Sequence, residues 1–255
     1  DVDNDGDLDV YTGCASAVLD CDGQTSEIML NNGDGTFSLG PDSDVRTGGS
    51  PGGASFVDVD RDGNLDLWVA TYGATEDHLY RGDGAGGFTE ITDDAGLDTK
   101  SWTVSALNEG LAHSNAWSAL ACDLNNDGDP ELLAASYGRA PNHLWQSTGG
   151  ASYENVSVAS GYAFDDRVDW TDNESARCWC KHNPDDEDCA GVPEPEYLSC
   201  SSEDDAFRWD HAYDRELFRL GGNSGKTACA DVNNDGWMDL VLSLIHISEP
   251  TRQIR

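Results

Sequence analysis

The chain has 255 residues, 38 % of them hydrophobic, which is enough for one large packed domain or two modest ones. Its 49 acidic and 14 basic residues give a formal net charge of −35. Nucleic acid and anionic membrane surfaces are excluded as partners, because both require a basic face. Membrane insertion is not expected either, since the sequence has no apolar run of spanning length.

An aspartate-rich string opens the chain and recurs along it. It reads DVDNDGDLD at residues 1–9, DVDRDGNLD at 58–66, DLNNDGDPE at 123–131 and DVNNDGWMD at 231–239. The shared pattern is D-x-[DN]-x-D-G-x-x-[DE]. The segments that follow the second and third copies also correspond, with His-Leu-aromatic at the same offset. Recurrence of a whole unit predicts a repeat architecture.

Short β-rich runs such as LDLWVATY, HLYRGD and FTEIT follow the acidic strings and are separated by Gly, Asp and Asn turns. There are about four such runs per repeat. This pattern predicts an all-β fold, namely an incomplete β-propeller of four-stranded antiparallel blades over residues 1–241. A β-sandwich with acidic turns is the alternative.

The acidic strings place oxygen-bearing side chains at positions 1, 3 and 5, and glycine at position 6 permits a sharp turn. This resembles the front half of an EF-hand loop, which requires an acid at position 12. Position 12 is occupied here by Thr12, Val69, Ala134 and Leu242, so these loops are not EF-hands. An acid stands at position 9 instead, and a β-run follows.

We predict that each loop binds one metal ion through the side chains at positions 1, 3, 5 and 9 and the backbone carbonyl at position 7. Hard oxygen donors favour Ca²⁺ over zinc or copper, and up to four structural Ca²⁺ would hold the hairpins. Metal-free Asx turns are the alternative. Asn at position 3 of the third and fourth loops lowers their charge. The candidate ligands are Asp1, Asp3, Asp5, Asp7, Asp9, Asp58, Asp60, Asp62, Asn64, Asp66, Asp123, Asn125, Asp127, Asp129, Glu131, Asp231, Asn233, Asp235, Trp237 and Asp239.

These motifs resemble the FG-GAP/VCBS repeat family, whose members form integrin-α-like β-propellers. The resemblance covers roughly residues 1–163 and 221–241. The motifs of this chain are also similar to those of bacterial secreted proteins of this family, some of which carry an ASPIC/UnbV-type domain. It implies calcium between the strands of each blade, an extracellular, cell-surface or periplasmic location, and a role in adhesion or ligand binding. Three blades and the start of a fourth are expected here, so we interpret the chain as a fragment whose partners include the remaining blades.

Residues 165–220 form an acidic, cysteine-containing insertion between the third and fourth acidic strings. We expect Cys178 and Cys180 each to pair with Cys189 or Cys200, because neighbours this close in sequence do not pair easily with each other. A zinc site using these thiolates and His182 is the alternative. The eight cysteines of the chain indicate an oxidising compartment.

Four further cysteines lie in the repeats. Cys14 and Cys21 are expected to bridge the long loop of the first blade. Cys122 and Cys229 each precede an acidic loop. They either pair with each other or pack as small buried thiols, and we favour packing.

The sequence contains no catalytic motif, since G-x-S-x-G, HExxH and a phosphate loop are all missing. His113, His143, His182 and His211 show no nucleophile or metal spacing. The favoured function is therefore a non-enzymatic scaffold that binds a protein or a glycan through its loops. The alternative is the scaffold of a carbohydrate-active enzyme, a polysaccharide lyase or hydrolase.

Two local strings receive their own interpretation. Arg81-Gly82-Asp83 spells an adhesion tripeptide, but turn chemistry accounts for it. Residues 242–255, LSLIHISEPTRQIR, lose the acidic style of the repeats and resemble the translation of a sequencing adapter. We expect this tail to be non-native, and a divergent strand is the alternative.

Overall fold

A computed structural model describes residues 1–14, 25–46, 50–137, 140–164, 169–196, 198–201, 209–212, 214–216 and 224–244. These residues contain thirteen β-strands and two α-helices. The strands are β1 (Val10–Thr12), β2 (Glu27–Asn31), β3 (Phe37–Leu39), β4 (Pro51–Val57), β5 (Asp66–Thr71), β6 (His78–Gly82), β7 (Phe88–Glu90), β8 (Ala116–Cys122), β9 (Glu131–Ser136), β10 (His143–Ser147), β11 (Tyr153–Asn155), β12 (Ser224–Ala230) and β13 (Asp239–Leu244), and the helices are α1 (Val104–Asn108) and α2 (Glu174–His182).

The strands form four antiparallel sheets, each a meander in chain order, which we call blades one to four. Blade one contains β1–β3, blade two β4–β7, blade three β8–β11 and blade four β12–β13. The expected four strands per repeat are confirmed for blades two and three. Within the described residues the sheets form propeller-like blades and do not close a ring.

The second strands of blades two and three are the most buried elements. Every residue of β5 and of β9 is buried. Each of these strands is paired on both edges and covered on both faces, which is why its sequence is a nearly continuous apolar run instead of alternating. Trp68 of β5 packs in a cluster with Leu132 and Trp145 of blade three, and its Nε1–H donates to the carbonyl of Leu133 at 3.0 Å. The core therefore lies between blades.

The first strands of blades two and three approach each other closely. A Cβ atom at Gly52 of β4 would lie 1.8 Å from the carbonyl oxygen of Ala116 in β8, and one at Gly53 would lie 2.4 Å from the amide nitrogen of Ala119. Only glycine fits at this approach. The glycine pair before the second acidic loop thus sets the spacing of the two blades.

The insertion is more regular than the sequence suggested, because it contains α2. The side chain of Asn173 accepts hydrogen bonds from the backbone N–H groups of Ser175 and Ala176, which caps the helix. Cys178 pairs with Cys200, and Cys180 pairs with Cys189, so the expected pairing is confirmed. The alternative zinc site is wrong, since these four sulfur atoms are all engaged in disulfides.

Our preference for unpaired packing of Cys122 and Cys229 is wrong. The two residues form a disulfide with a Cα–Cα distance of 6.5 Å. Cys122 ends β8 and Cys229 lies in β12, the first strands of neighbouring blades, so the blade spacing brings them within bonding reach. The bridge links blades three and four. The expected Cys14–Cys21 bridge falls partly outside the described residues, because Cys21 belongs to residues 15–24.

The described part of the chain ends within the tail that we interpreted as non-native. β13 extends to Leu244, and Leu242 pairs with Thr227 of β12. Residues 245–255 lie outside the described residues. Neither α1 nor α2 is long and apolar enough to cross a membrane, and no other described segment forms such a helix.

Candidate metal centres in the four acidic loops

The acidic loops occupy equivalent places in the blades. Residues 58–66 join β4 to β5, residues 123–131 join β8 to β9, and residues 231–239 join β12 to β13, while residues 1–9 precede β1. We call them loops one to four. The predicted position between the first two strands of a blade is therefore found in blades two, three and four.

All four loops adopt the same backbone conformation. The residue at position 4 is left-handed in each loop, with φ between 58° and 61°, and the glycine at position 6 has φ between 87° and 98°. The N–H of that glycine donates to the carboxylate at position 1 over 2.9–3.2 Å. The N–H at position 7 donates to the carboxylate at position 5 over 2.7–2.9 Å. These Asx-type bonds fold the side chains at positions 1 and 5 inward.

Positions 1, 3 and 5 come together as predicted. Carboxylate oxygens of Asp1, Asp3 and Asp5 lie within 4.8 Å of one another in loop one, and those of Asp58, Asp60 and Asp62 do so in loop two. In loops three and four the amide oxygens of Asn125 and Asn233 accept from the N–H at position 5 at 2.9 Å. These two loops therefore carry one carboxylate less in the cluster.

Loop one contains a carboxylate oxygen that lacks a partner. Oδ1 of Asp1 is buried and accepts no hydrogen bond, although Oδ2 of the same group accepts from the N–H of Gly6. A buried charged oxygen without a partner is costly, and a cation placed among Asp1, Asp3 and Asp5 would remove that cost. The donor set, three hard oxygen ligands on one side of a tight loop, fits such a cation.

The acid at position 9, a predicted ligand, also forms a hydrogen bond within its own loop. Its carboxylate accepts a hydrogen bond from the backbone N–H at position 2, which closes the loop on itself. The pairs are Val2 with Asp9 (2.7 Å), Val59 with Asp66 (2.8 Å), Leu124 with Glu131 (2.7 Å) and Val232 with Asp239 (3.0 Å). This structural bond explains why the repeat keeps an acid at position 9.

In blades one and two the same carboxylate also secures the following hairpin. The second oxygen of Asp9 accepts from the N–H of Asn31, and that of Asp66 accepts from the N–H of Gly82, both at 2.9 Å. Burial raises the pKa of Asp66 to about 6, although these N–H donors act in the opposite direction. Burial raises the pKa of Glu131 as well.

Position 7 was predicted to contribute its backbone carbonyl. The side chains at this position have different surroundings in the four loops. Nδ2 of Asn64 donates to the carboxylate of Asp62 at 3.1 Å, and Asp129 forms an ion pair with Arg61 at 2.9 Å. A Cβ atom on Gly33 would lie 2.6 Å from the carboxylate of Asp7. The side chain of Trp237 is largely exposed.

Two arginines that we did not single out as partners of the loops reach into them. Nε of Arg81 lies 3.0 Å from the carboxylate of Asp60 at position 3 of loop two. Arg61, at position 4 of loop two, extends to Asp129 of loop three. Basic residues are rare in this sequence, so their occurrence inside or next to an acidic repeat was a usable signal.

Comparison with known families finds a match for the first part of the chain. Residues 1–69 match the sequence model of the FG-GAP-like repeat. The matched span includes loops one and two, the strands β1–β4 and the first four residues of β5. No curated protein matches the chain. Loops three and four lie beyond the matched FG-GAP-like span and have the same hydrogen-bond pattern.

The adhesion tripeptide is part of a turn. The carboxylate of Asp83 accepts from the N–H groups of Ala85 and Gly87 at 2.8 and 2.9 Å, and Arg81 is held by Asp60. Both charged side chains of the tripeptide are thus engaged within the protein.

The histidines have structural surroundings. His143 is fully buried, with Nδ1 at 3.1 Å from Asp77 and Nε2 at 2.9 Å from the carbonyl of Ala112. His211 lies near Asp186 and Asp188, but its Nδ1 accepts from the indole N–H of Trp209 at 3.0 Å. Its proton therefore resides on Nε2, facing Asp188, which leaves no lone pair for a metal there.

Proposed function

We propose that the chain is a set of calcium-stabilised FG-GAP/VCBS propeller blades from a secreted or surface protein, and that it serves as a scaffold for ligand binding. The observation that carries the calcium part is the buried, unpartnered Oδ1 of Asp1 beside Asp3 and Asp5. When bound, calcium supplies the positive charge that these oxygen atoms lack. Its tolerance of irregular oxygen ligation suits a short loop better than the strict octahedron of Mg²⁺ does.

Thermal unfolding with and without calcium tests this part of the proposal. Calcium at about 100 times its dissociation constant should stabilise the folded chain by about 2.7 kcal/mol per site, and EDTA should remove that gain. Asp3→Asn and Asp5→Asn should each reduce the calcium-dependent rise in melting temperature. Asp94→Asn is the control, because it removes one exposed carboxylate outside the loops. A melting temperature that is the same in millimolar calcium and in EDTA would contradict the proposal.

The binding part of the proposal rests on an aromatic strip at the opposite ends of the strands from the acidic loops. The strip consists of Tyr72, Trp117 and Tyr137, with ring centroids 4.9 Å apart for the first pair and 6.1 Å for the second. Trp117 is 44 % exposed. Tyr72 and Tyr137 directly follow β5 and β9, so each repeat delivers one tyrosine to the strip.

Packing does not account for Trp117. Counted back from the acidic loops, its equivalents in blades two and four are Gly52 and Gly225. A large ring that is exposed where the repeat otherwise carries glycine favours a binding role, and the apolar face of a neutral sugar can stack on it. Polar backbone and amide groups border the aromatic strip. One of them is Asn115, whose Oδ1 accepts from the N–H of Gly73.

A glycan array with the calcium-loaded chain tests this part. Neutral glycans should bind, and Trp117→Gly should abolish binding. Loss of the ring contacts with Tyr72 and Tyr137 should lower the melting temperature of this variant, and a retained calcium-dependent rise would show that it folds. Trp102→Ala, at another exposed tryptophan, is the matched control. Binding that survives Trp117→Gly would contradict the assignment of the strip. Cleavage of a polysaccharide chain would favour the enzyme alternative.

Two observations support the proposed context. Three disulfides among the described residues favour an oxidising, extracellular or periplasmic location. Val232 of loop four is 61 % exposed, whereas its equivalent Val59, which the described part of blade three covers, is 0 % exposed. An apolar face of this kind suits a further blade, so we propose that additional blades are partners of this chain.

A further inference from the structure

Loop two has a guanidinium group in contact with the acid at position 3 of its ligand cluster, whereas the guanidinium beside loop three contacts position 7. Nε of Arg81 lies 3.0 Å from Oδ2 of Asp60, the acid at position 3. Arg81 lies one residue before Gly82, the residue of β6 that pairs with Phe88 of β7. By the same pairing its equivalents are Leu30 in blade one and Gln146 in blade three. Among these three blades, only blade two has a basic residue at this place.

The carboxylate at position 1 is correspondingly better satisfied in loop two than in loop one. Oδ1 of Asp58 accepts from the N–H of Asp62 at 3.2 Å, and Oδ2 accepts from the N–H of Gly63 at 3.0 Å. In loop one, Oδ1 of Asp1 is buried without a partner. Loops three and four make the same bond to Oδ1 at 3.2 and 3.1 Å, so this difference marks loop one, and the role of Arg81 rests on its contact with Asp60.

We infer that Arg81 is a built-in counter-cation that keeps loop two ordered without calcium and makes it a weaker calcium site than loop one. This inference rests on the calcium-stabilised blades proposed above. An ion entering loop two would be repelled by the guanidinium and would share Asp60 with it. In loop one the ion meets three carboxylates, and the nearby amino terminus of Asp1 lies against Asp9 at position 9, 3.7 Å from its Oδ2. The calcium affinities of loops one and two thus differ through a side chain that lies outside the loops.

The size of the effect follows from the exposure of the pair. The side chain of Arg81 is 46 % exposed and that of Asp60 is 18 % exposed, so solvent screens their interaction substantially. Ion pairs of this kind are worth a few tenths of a kcal/mol to about 1 kcal/mol, which corresponds to a change in dissociation constant of roughly two- to fivefold.

The position-6 glycines provide a separate reporter for each loop. Gly6, Gly63, Gly128 and Gly236 each donate their N–H to the carboxylate at position 1 of their own loop. Selective ¹⁵N-glycine labelling and two-dimensional NMR during a calcium titration therefore give one midpoint per loop. The variants are Arg81→Gln, which copies blade three, and the reciprocal Gln146→Arg. Because each introduces a residue that an equivalent position already carries, both should fold.

We expect the midpoint of Gly63 to lie at a higher calcium concentration than that of Gly6. Arg81→Gln should lower the Gly63 midpoint roughly two- to fivefold and leave Gly6 unchanged, while Gln146→Arg should raise the Gly128 midpoint. In EDTA, amide exchange at Gly63 should be slower than at Gly6, and Arg81→Gln should remove that difference.

The outcomes separate the inference from the function on which it rests. If the glycines titrate but Arg81→Gln leaves the Gly63 midpoint in place, the counter-cation role is wrong and calcium binding stands. If calcium up to about 10 mM, roughly ten times the dissociation constant of the weakest extracellular sites, shifts none of the four glycines, both fail. Equal amide exchange of Gly63 and Gly6 in EDTA would overturn the claim that Arg81 orders loop two without an ion.

Discussion

The side-chain amide of Asn4 in loop one donates to Oδ1 of Asn64 in loop two at 3.1 Å, which connects two acidic loops that are 60 residues apart in the chain. The next pair of loops repeats the relationship, because Arg61 extends from loop two to Asp129 of loop three at 2.9 Å. Asn126 continues it by donating to the carbonyl of Gly236 at 2.8 Å.

The left-handed backbone at position 4 explains how one side chain can make this connection. With φ near 60°, the residue projects away from its own loop and over the following one. Asparagine tolerates this conformation, and arginine adopts it here with the compensation of an ion pair. Position 4 is therefore an interblade contact as well as a turn residue.

Removing the position-4 side chains should weaken the contact between blades without disturbing the loops themselves. Glycine suits φ near 60°, so Arg61→Gly removes the ion pair to Asp129 and the hydrogen bond to the carbonyl of Asp127 without straining the loop. We expect a loss of about 0.5–1 kcal/mol, seen as a lower urea midpoint. Asn234→Gly is the control, since the described residues provide no hydrogen-bond partner for that side chain. Equal effects of the two variants would refute the interblade role.

The two buried tryptophans of blades two and three should respond differently to the same substitution. Trp68 donates its Nε1–H to the carbonyl of Leu133, whereas Nε1 of Trp145 is buried without a hydrogen-bond partner. Trp68→Phe should therefore cost about 1 kcal/mol more than Trp145→Phe, because only the former loses a buried hydrogen bond. Chemical unfolding of both variants measures the difference. A larger loss for Trp145→Phe would show that cavity formation dominates.

Much of the architecture was readable from the sequence because its signals are local. The acidic loops, the strands on either side of them and the pairing of Cys178 and Cys180 with Cys189 or Cys200 depend on residues close in the chain. The Cys122–Cys229 bridge was not predicted, since it depends on the spacing of two blades. That spacing is set by glycines such as Gly52, whose neighbours belong to another repeat.

The candidate site also has parts that depend on residues close in the chain and parts that depend on distant ones. Positions 1, 3 and 5 were expected to meet, and they do so because turn bonds within nine residues determine their geometry. The ion pair of Arg81 with Asp60 depends on the register of a later hairpin, which a motif does not encode. The capping role of Asp66 was missed because its second partner, Gly82, is 16 residues away. Helix α2 could have been recognised from the capping residue Asn173.

The bridge between blades three and four should stabilise the chain more than the bridges of the insertion do. Cys122 and Cys229 are separated by 107 residues, and Cys180 and Cys189 by nine. In the loop-entropy account the longer closure is worth about 5 kcal/mol and the shorter about 3 kcal/mol. The double variant Cys122→Ala with Cys229→Ala should therefore unfold at a lower denaturant concentration than Cys180→Ala with Cys189→Ala. The reverse order would indicate that the blades dock equally well without the bridge.

The insertion should lose an ion pair at acid pH. Asp188 lies 3.2 Å from Nε2 of His211 and 2.6 Å from Nη1 of Arg215, and His211 stacks on Trp179 with ring centroids 4.0 Å apart. The hydrogen bond from His211 and the charge of Arg215 lower the pKa of Asp188 below its ordinary value of 3.8. The stabilisation is therefore present above that value and disappears as the pH falls through the lowered pKa.

Tryptophan fluorescence followed as a function of pH measures this loss. At neutral pH, Asp188→Asn should unfold the insertion at a lower urea concentration than the wild type does, because the variant lacks the ion pair throughout. The difference should shrink as the pH drops below about 3.9, the ordinary aspartate pKa, toward the lowered pKa of the folded state. Asp185→Asn, which removes an exposed carboxylate three residues away, should match the wild type at every pH. A difference between Asp188→Asn and wild type that stays constant as the pH falls from 5 to 2, across the ordinary aspartate pKa of about 3.9, would refute the ion-pair origin.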